Sequence, residues 1–283
     1  MQASSLDGAP AVTTLVRNGG NVMQSNSIKP KLAAGGFSFG TMATEFFTPG
    51  LAQLVRSAGG EFLMIDCEHG GAGMETVKAQ CSYARGLGLC PIVRVPDTQY
   101  HLIANALDAG AMGVMVPLVG TPGQAEFIVS CTRYPPQGRR GAAFGMAHDD
   151  YEGGEVAAKI AALHERTMVI AMIETREGLD NVEAIAAVPG IDVVWVGHFD
   201  LTNSMGIPAQ FQHPDFDAAL RRTVGAAGTH GRTAGIMVAD PGWAARVVPL
   251  GFRMLAYGLD QMLFQRELRL GIEKLHELAA TNV

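Results

Sequence analysis

The 283-residue sequence predicts an α/β fold, a (β/α)8 TIM barrel, on three observations. Eight short runs rich in β-branched and other apolar residues recur along the chain, and amphipathic stretches of helical spacing alternate with them. The runs are apolar almost throughout, as parallel strands buried on both faces require. The rival doubly wound sheet would place a Gly-rich dinucleotide fingerprint after its first strand, and Gly40-Thr41-Met42-Ala43 does not supply one.

Residues 1–28 are polar and rich in small side chains, and predict a loose N-terminal extension; residues 29–283 then form one barrel domain with a C-terminal helix. The first strand is expected at 37–40 and its helix at 51–58, followed by strand 61–66 and helix 74–87. Strand 92–95, helix 102–109 and strand 113–119 continue the alternation. After Arg133 comes a segment carrying Pro135-Pro136, Arg139-Arg140-Gly141 and Asp149-Asp150-Tyr151. It is too long for an ordinary connection, and long barrel loops commonly cover a site. Helix 155–165, strands 169–174 and 193–197, helix 216–229, strand 233–238, helix 243–250 and strand 254–257 complete the order, several helices ending in Gly.

Composition excludes whole classes of function. With 48% hydrophobic and 17% charged residues, the chain can bury a large core, which rules out disordered, collagenous and coiled-coil readings. Its 27 acidic residues against 21 Lys and Arg give a net charge of −6, contrary to a nucleic-acid footprint. A small molecule is the expected ligand. Cys67, Cys81, Cys90 and Cys131 form no CxxC pair, and no uninterrupted apolar run reaches membrane-span length. The expectation is a cytoplasmic protein with no membrane partner.

Barrel chemistry sits where strands end, so polar residues that interrupt apolar runs there are the candidates. They are Asp66 with Glu68 and His69, Arg94, Glu174, and Asp200. Glu174 and Asp200 close neighbouring strands and could offer hard oxygen ligands to Mg, Mn or Co, leaving positions for substrate. Either could instead cap a helix or pair with Arg176. His69 reads as a general base or as a buried structural histidine. Arg94 in an apolar strand needs an anion, supplied by a substrate or by a structural ion pair. Asp108 lies near a helix end, where an acid opposes the helix dipole, so it calls for a His or Arg partner or else faces solvent.

Several segments together resemble the HpcH/HpaI aldolases, the metal-dependent class II pyruvate aldolases typified by 4-hydroxy-2-oxoheptanedioate aldolase and related to macrophomate synthase. They are Ile65-Asp66 with Glu68-His69, Val93-Arg94 with Pro96, Asp108-Ala109-Gly110-Ala111, Val116-Pro117, Thr132-Arg133-Tyr134-Pro135-Pro136 with Arg140-Gly141, Ile173-Glu174-Thr175-Arg176-Glu177, and Gly197 with Asp200-Leu201. The resemblance implies a barrel whose last helix is exchanged between subunits of a homo-oligomer, a trimer of dimers. It implies a divalent metal (Mg, Mn or Co) on Glu174 and Asp200, His69 as base with Asp108 raising its basicity, Arg94 stabilising the enolate, and the Phe199 amide meeting the substrate carboxylate.

The implied reaction is reversible cleavage of a 4-hydroxy-2-oxo acid to pyruvate and an aldehyde, with oxaloacetate decarboxylation as a side activity. Alternatives are a lyase for coenzyme A thioesters, like the citrate lyase beta group, or a catalytically silent binding barrel. Two positions depart from the family pattern: Met172 stands where a Gln usually contacts substrate, and His198-Phe199 replaces Pro-Ala. The second change adds bulk and a possible extra base at the rim, which points to a more hydrophobic or aromatic acceptor aldehyde.

Overall fold

In the computed structural model, which describes residues 23–281, the strands close into one parallel barrel in chain order. They are β1 (Ser38–Ala43), β2 (Phe62–Asp66), β3 (Cys90–Arg94), β4 (Gly113–Val116), β5 (Met168–Ile173), β6 (Val193–Val196), β7 (Thr233–Val238) and β8 (Met254–Leu259). Each expected strand is present, with ends displaced by three residues or fewer.

Around the barrel run α2 (Gly50–Ser57), α3 (Met74–Gly86), α4 (Tyr100–Asp108), α5 (Pro122–Thr132), α6 (Val156–Arg166), α7 (Arg176–Asp180), α8 (Val182–Ala187), α10 (Pro214–Thr229) and α11 (Pro241–Val247). The short α9 (His198–Ser204) follows β6, while α1 (Ile28–Ala33) and α12 (Asp260–Ala280) stand at the two ends of the chain.

Side chains alternate along every strand, so the strands build two cores. Leu63, Ile65, Val93 and Val194 point outward to the helices, whereas Phe62, Met64, Ile92, Ile170, Met172 and Trp195 fill the lumen. Trp195 is opposite Gly235 in register, and a Cβ at 235 would lie 2.3 Å from the indole. Glycine there makes room for the bulkiest lumen residue. Parity also fixes the site: Asp66, Arg94 and Glu174 share the inward phase of Met64, Ile92 and Met172 at the strand ends.

Ile28 and Leu32 of α1 join the lumen cluster and close the N-terminal mouth. Asn26 is buried beside them, its amide donating to the Arg166 carbonyl at 3.0 Å. Asn26 and Ile28, which fall within the expected N-terminal extension, are thus built into the base of the barrel; residues 1–22 of that expectation lie outside the described residues.

The long segment at 133–155 differs from expectation. It joins α5 to α6 ahead of β5, an α-to-β connection, so within this chain it serves the end opposite the strand tops. There it meets buried charges: Arg140 pairs with Asp108 at 2.6 Å, Lys159 with Asp149 at 2.8 Å, and Arg166 with Asp150 at 3.0 Å.

Helix α12 is 21 residues long, yet only Asp260 in it is buried. That carboxylate accepts from the backbone N–H of Thr44 and Phe46, fixing the start of the helix to the loop after β1. Beyond it Phe264, Leu268, Leu270, Ile272, Leu275 and Leu278 are exposed. No helix among the described residues is long and apolar enough to cross a membrane.

Candidate active site

Asp66 ends β2 directly opposite Arg94 of β3. Register alone brings them together, and the guanidinium donates from Nε to Oδ1 at 2.8 Å and from Nη2 to Oδ2 at 2.7 Å. Nη1 lies 3.0 Å from Glu68 Oε2, an ion pair outside hydrogen-bond direction. Burial alone would lower the Arg94 pKa, but the bonds and charges of Asp66 and Glu68 outweigh it, and the net shift is upward. Of the fork's five donors, those turned away from these acids are left for a ligand. Asp66 Oδ1 also accepts from the Glu68 N–H at 3.0 Å and the His69 N–H at 3.4 Å, so one carboxylate shapes the turn and holds the arginine. His69 itself is exposed, three residues beyond the end of β2.

Glu174 follows β5 and is buried, with Oε1 accepting from the Leu118 N–H at 2.7 Å. Leu118 adopts φ 54°, a left-handed conformation that a branched residue holds only under constraint. Burial pushes the Glu174 carboxyl up to about 7, and the charges of Glu68 and Asp200 add to the shift. Gly197 makes the position possible: a Cβ there would lie 2.3 Å from Glu174 Oε2 and 2.7 Å from Met172 Cε. Asp200 stands exposed in the first turn of α9.

Three carboxylates, Glu68, Glu174 and Asp200, thus act on one another at the barrel mouth, with Arg94 as the buried cation. Glu174 and Asp200 offer hard oxygen donors of the kind a divalent cation takes, and burial keeps the Glu174 carboxyl short of solvent. Glu174 and Asp200 are the pair that could hold it. Among the described residues no group of three or more His, Cys, Asp and Glu forms a ready ligand cluster. Glu68 carries more of the site than its sequence context suggested; its place two residues beyond an inward Asp was the available signal.

Three of the singled-out residues lie away from the strand-top carboxylates or are paired elsewhere. Asp108 ends α4, which runs back from the strand tops, so it sits at the N-terminal face while His69 stands at the C-terminal face. Within the chain its partners are Arg140 and, at 3.8 Å, His148 Nδ1. His198 is no exposed base. It is buried, desolvation pushes its pKa down to about 4, and rings surround it: Phe199 at 4.8 Å, Phe211 at 5.3 Å and Trp243 at 4.6 Å. Arg176, weighed as a partner for the carboxylates, instead donates to the Ser204 and Met205 carbonyls.

Met172 is 5% exposed and packs in the lumen core. Phe211 and Trp243 escaped the sequence reading, since nothing local links loops after different strands. A cleft of about 590 Å³ between Arg85, Asp150 and Tyr151 lies at the N-terminal face, away from these residues.

A closed parallel barrel with a buried arginine fork and carboxylates gathered at its strand tops has the architecture of a barrel enzyme. The HpcH/HpaI aldolase/citrate lyase family model matches residues 45–267. The hydroxypyruvate/pyruvate aldolase of Chromohalobacter salexigens is 36% identical over 221 residues, 78% of this chain and 87% of that protein. The 5-keto-4-deoxy-D-glucarate aldolase of Escherichia coli K12 is 32% identical over 240 residues, 85% of this chain and 93% of its own. The crystal structure of an HpcH/HpaI aldolase from Desulfitobacterium hafniense superposes with a TM-score of 0.85 at 28% identity, covering 90% of this chain and 98% of that one. The chain belongs to the HpcH/HpaI aldolase/citrate lyase family and is a carbon–carbon lyase of the aldolase type.

Proposed function

We propose that the enzyme reversibly cleaves a 4-hydroxy-2-oxo acid to pyruvate and an aldehyde, with a divalent ion (Mg, Mn or Co) held by Glu174 and Asp200. The observation that carries this reading is the buried Glu174 carboxylate, which shares the inward phase of the strand ends with Arg94 and is seated against Gly197, three residues before Asp200. The relatives named for hydroxypyruvate and pyruvate support a three-carbon 2-oxo acid as the donor. When bound, the metal supplies Lewis-acid polarisation of the 2-oxo group.

The chain's own residues do the rest. Arg94, held by Asp66 and Glu68, directs its free N–H groups at the oxygen where enolate charge develops; because the fork is fixed beforehand, no reorganisation is needed as the charge appears. Phe199 N–H, in the first turn of α9, has no acceptor within the helix and is free to meet the substrate carboxylate. His69, exposed to solvent, takes the proton from C3. In the synthetic direction the C3 electron pair forms the new bond to the aldehyde carbon, and the aldehyde oxygen takes up a proton. Oxaloacetate reaches the same enolate by losing carbon dioxide, a side activity.

The exposed apolar residues of α12 support exchange of that helix between subunits of a homo-oligomer, with a trimer of dimers as the assembly. Four cysteines, all free thiols, suit a reducing cytoplasm. The test is exchange of pyruvate methyl protons with deuterated solvent. Exchange that is lost with a chelator and restored by Mn supports the reading; full exchange without metal, or a borohydride-trapped adduct with pyruvate, overturns it.

A further inference from the structure

The rim beside Asp200 is aromatic. Phe199, in the first turn of α9, is 52% exposed, and it is held in place. Phe211 meets it edge-on at 5.0 Å and His198 lies 4.8 Å away. Phe211 leans in turn on Trp243 of α11 at 4.9 Å and on the fully buried Phe216 at 6.0 Å. The cluster therefore bridges the loops after β6 and β7 and is anchored in the outer core. On the lumen side, the apolar Met172 reaches Gly197 two residues before Phe199, its Cε 2.7 Å from where a Cβ of residue 197 would be.

An exposed ring fixed by edge-to-face contacts loses little entropy on meeting a ligand, and it favours flat or branched apolar groups over hydroxylated ones. We propose that Phe199 is the acceptor subsite of this enzyme, with Phe211 as its positioning residue, and that it selects aldehydes bearing an aromatic or branched apolar substituent. The proposal rests on the pyruvate aldolase reading. The aldehyde carbon must reach C3 of the 2-oxo acid beside Asp200, and the exposed ring next to Asp200 in sequence is the one we set against its substituent.

The test uses the full-length Mn-loaded enzyme and two readouts. Proton exchange of pyruvate reports activation of the donor; kcat/KM for phenylacetaldehyde relative to glycolaldehyde reports acceptor choice. The wild-type ratio is expected to exceed about ten, the discrimination an apolar pocket provides. In Phe211→Ala the ratio should fall about fivefold while exchange keeps its rate, because only the support of the ring is lost. Phe211→Leu, which preserves apolar bulk and so guards against misfolding, should lower the ratio about twofold. A wild-type ratio near or below one, or a ratio unmoved in both variants, overturns the proposal while leaving the aldolase reading intact. Failure of wild-type exchange would overturn the reading beneath it.

Discussion

Asp66 and Arg94 are register partners on adjacent strands, and two hydrogen bonds of 2.8 and 2.7 Å lock carboxylate to guanidinium in a buried fork. Breaking such a pair leaves an uncompensated buried charge. Asp66→Asn is expected to cost about 3 kcal/mol of stability, read from urea unfolding. Arg94→Lys keeps the charge but loses the planar fork, so pyruvate exchange should fall about a hundredfold. Normal exchange in Arg94→Ala would remove Arg94 from the mechanism.

Glu174→Gln and Asp200→Asn neutralise a carboxylate with little change in volume. Turnover should drop by about three orders of magnitude in each, the scale of a lost Lewis acid, with circular dichroism unchanged. Chelation of the native enzyme should reproduce the loss, and added Mn should reverse it.

Gly197→Ala tests the cradle around Glu174. The added methyl would lie 2.3 Å from Oε2, so the carboxylate must move. Stability should fall by about 1–3 kcal/mol, and Mn affinity measured by calorimetry should weaken. Unchanged affinity would mean that Glu174 does not need this position to bind the ion.

Glu174 also sets a pH dependence in the metal-free protein. Folding raises its pKa from 4.5 to about 7, so between these values the folded chain holds a proton that the unfolded chain has released. Its contribution to stability is present below pH 4.5 and is lost as pH rises through 7. Metal-free enzyme should therefore unfold at lower urea at about pH 8 than at about pH 5.5, more steeply than Glu174→Gln. Metal binding should release close to one proton at about pH 6 and almost none at about pH 8.

Leu268→Lys with Leu275→Lys places charges on the exposed face of α12. Sedimentation should show a smaller assembly than wild type. An unaltered assembly would rule out this helix as the joint between subunits.

The barrel was legible because parallel strands buried on both faces leave continuous apolar runs. Less visible were α5, which starts with Pro122-Gly123, and the seven-residue α9, both lacking a sustained helical stripe. At the site, strand-end charges such as Arg94 and Glu174 stood out against apolar neighbours. Asp108 was correctly marked as needing a cationic partner, but its distance from His69 depends on the direction of α4, and a residue-by-residue likeness does not carry direction. The grouping of His198, Phe211 and Trp243 depends on loops from two strands meeting in space, which no local pattern encodes.

Lumen side chains pack the barrel from Ile28 and Leu32 at its base up to Met172, so the strand-top site has no approach through the barrel axis. Traffic has one door. A reactant seated deepest, against Glu174, must arrive before the aldehyde and depart after it, so the kinetics should be ordered, with pyruvate the last product out in the cleavage direction. The packed lumen also leaves solvent no route along the barrel axis, so water that reaches the nucleophilic carbon enters by the same mouth as the aldehyde, one side of which is aromatic.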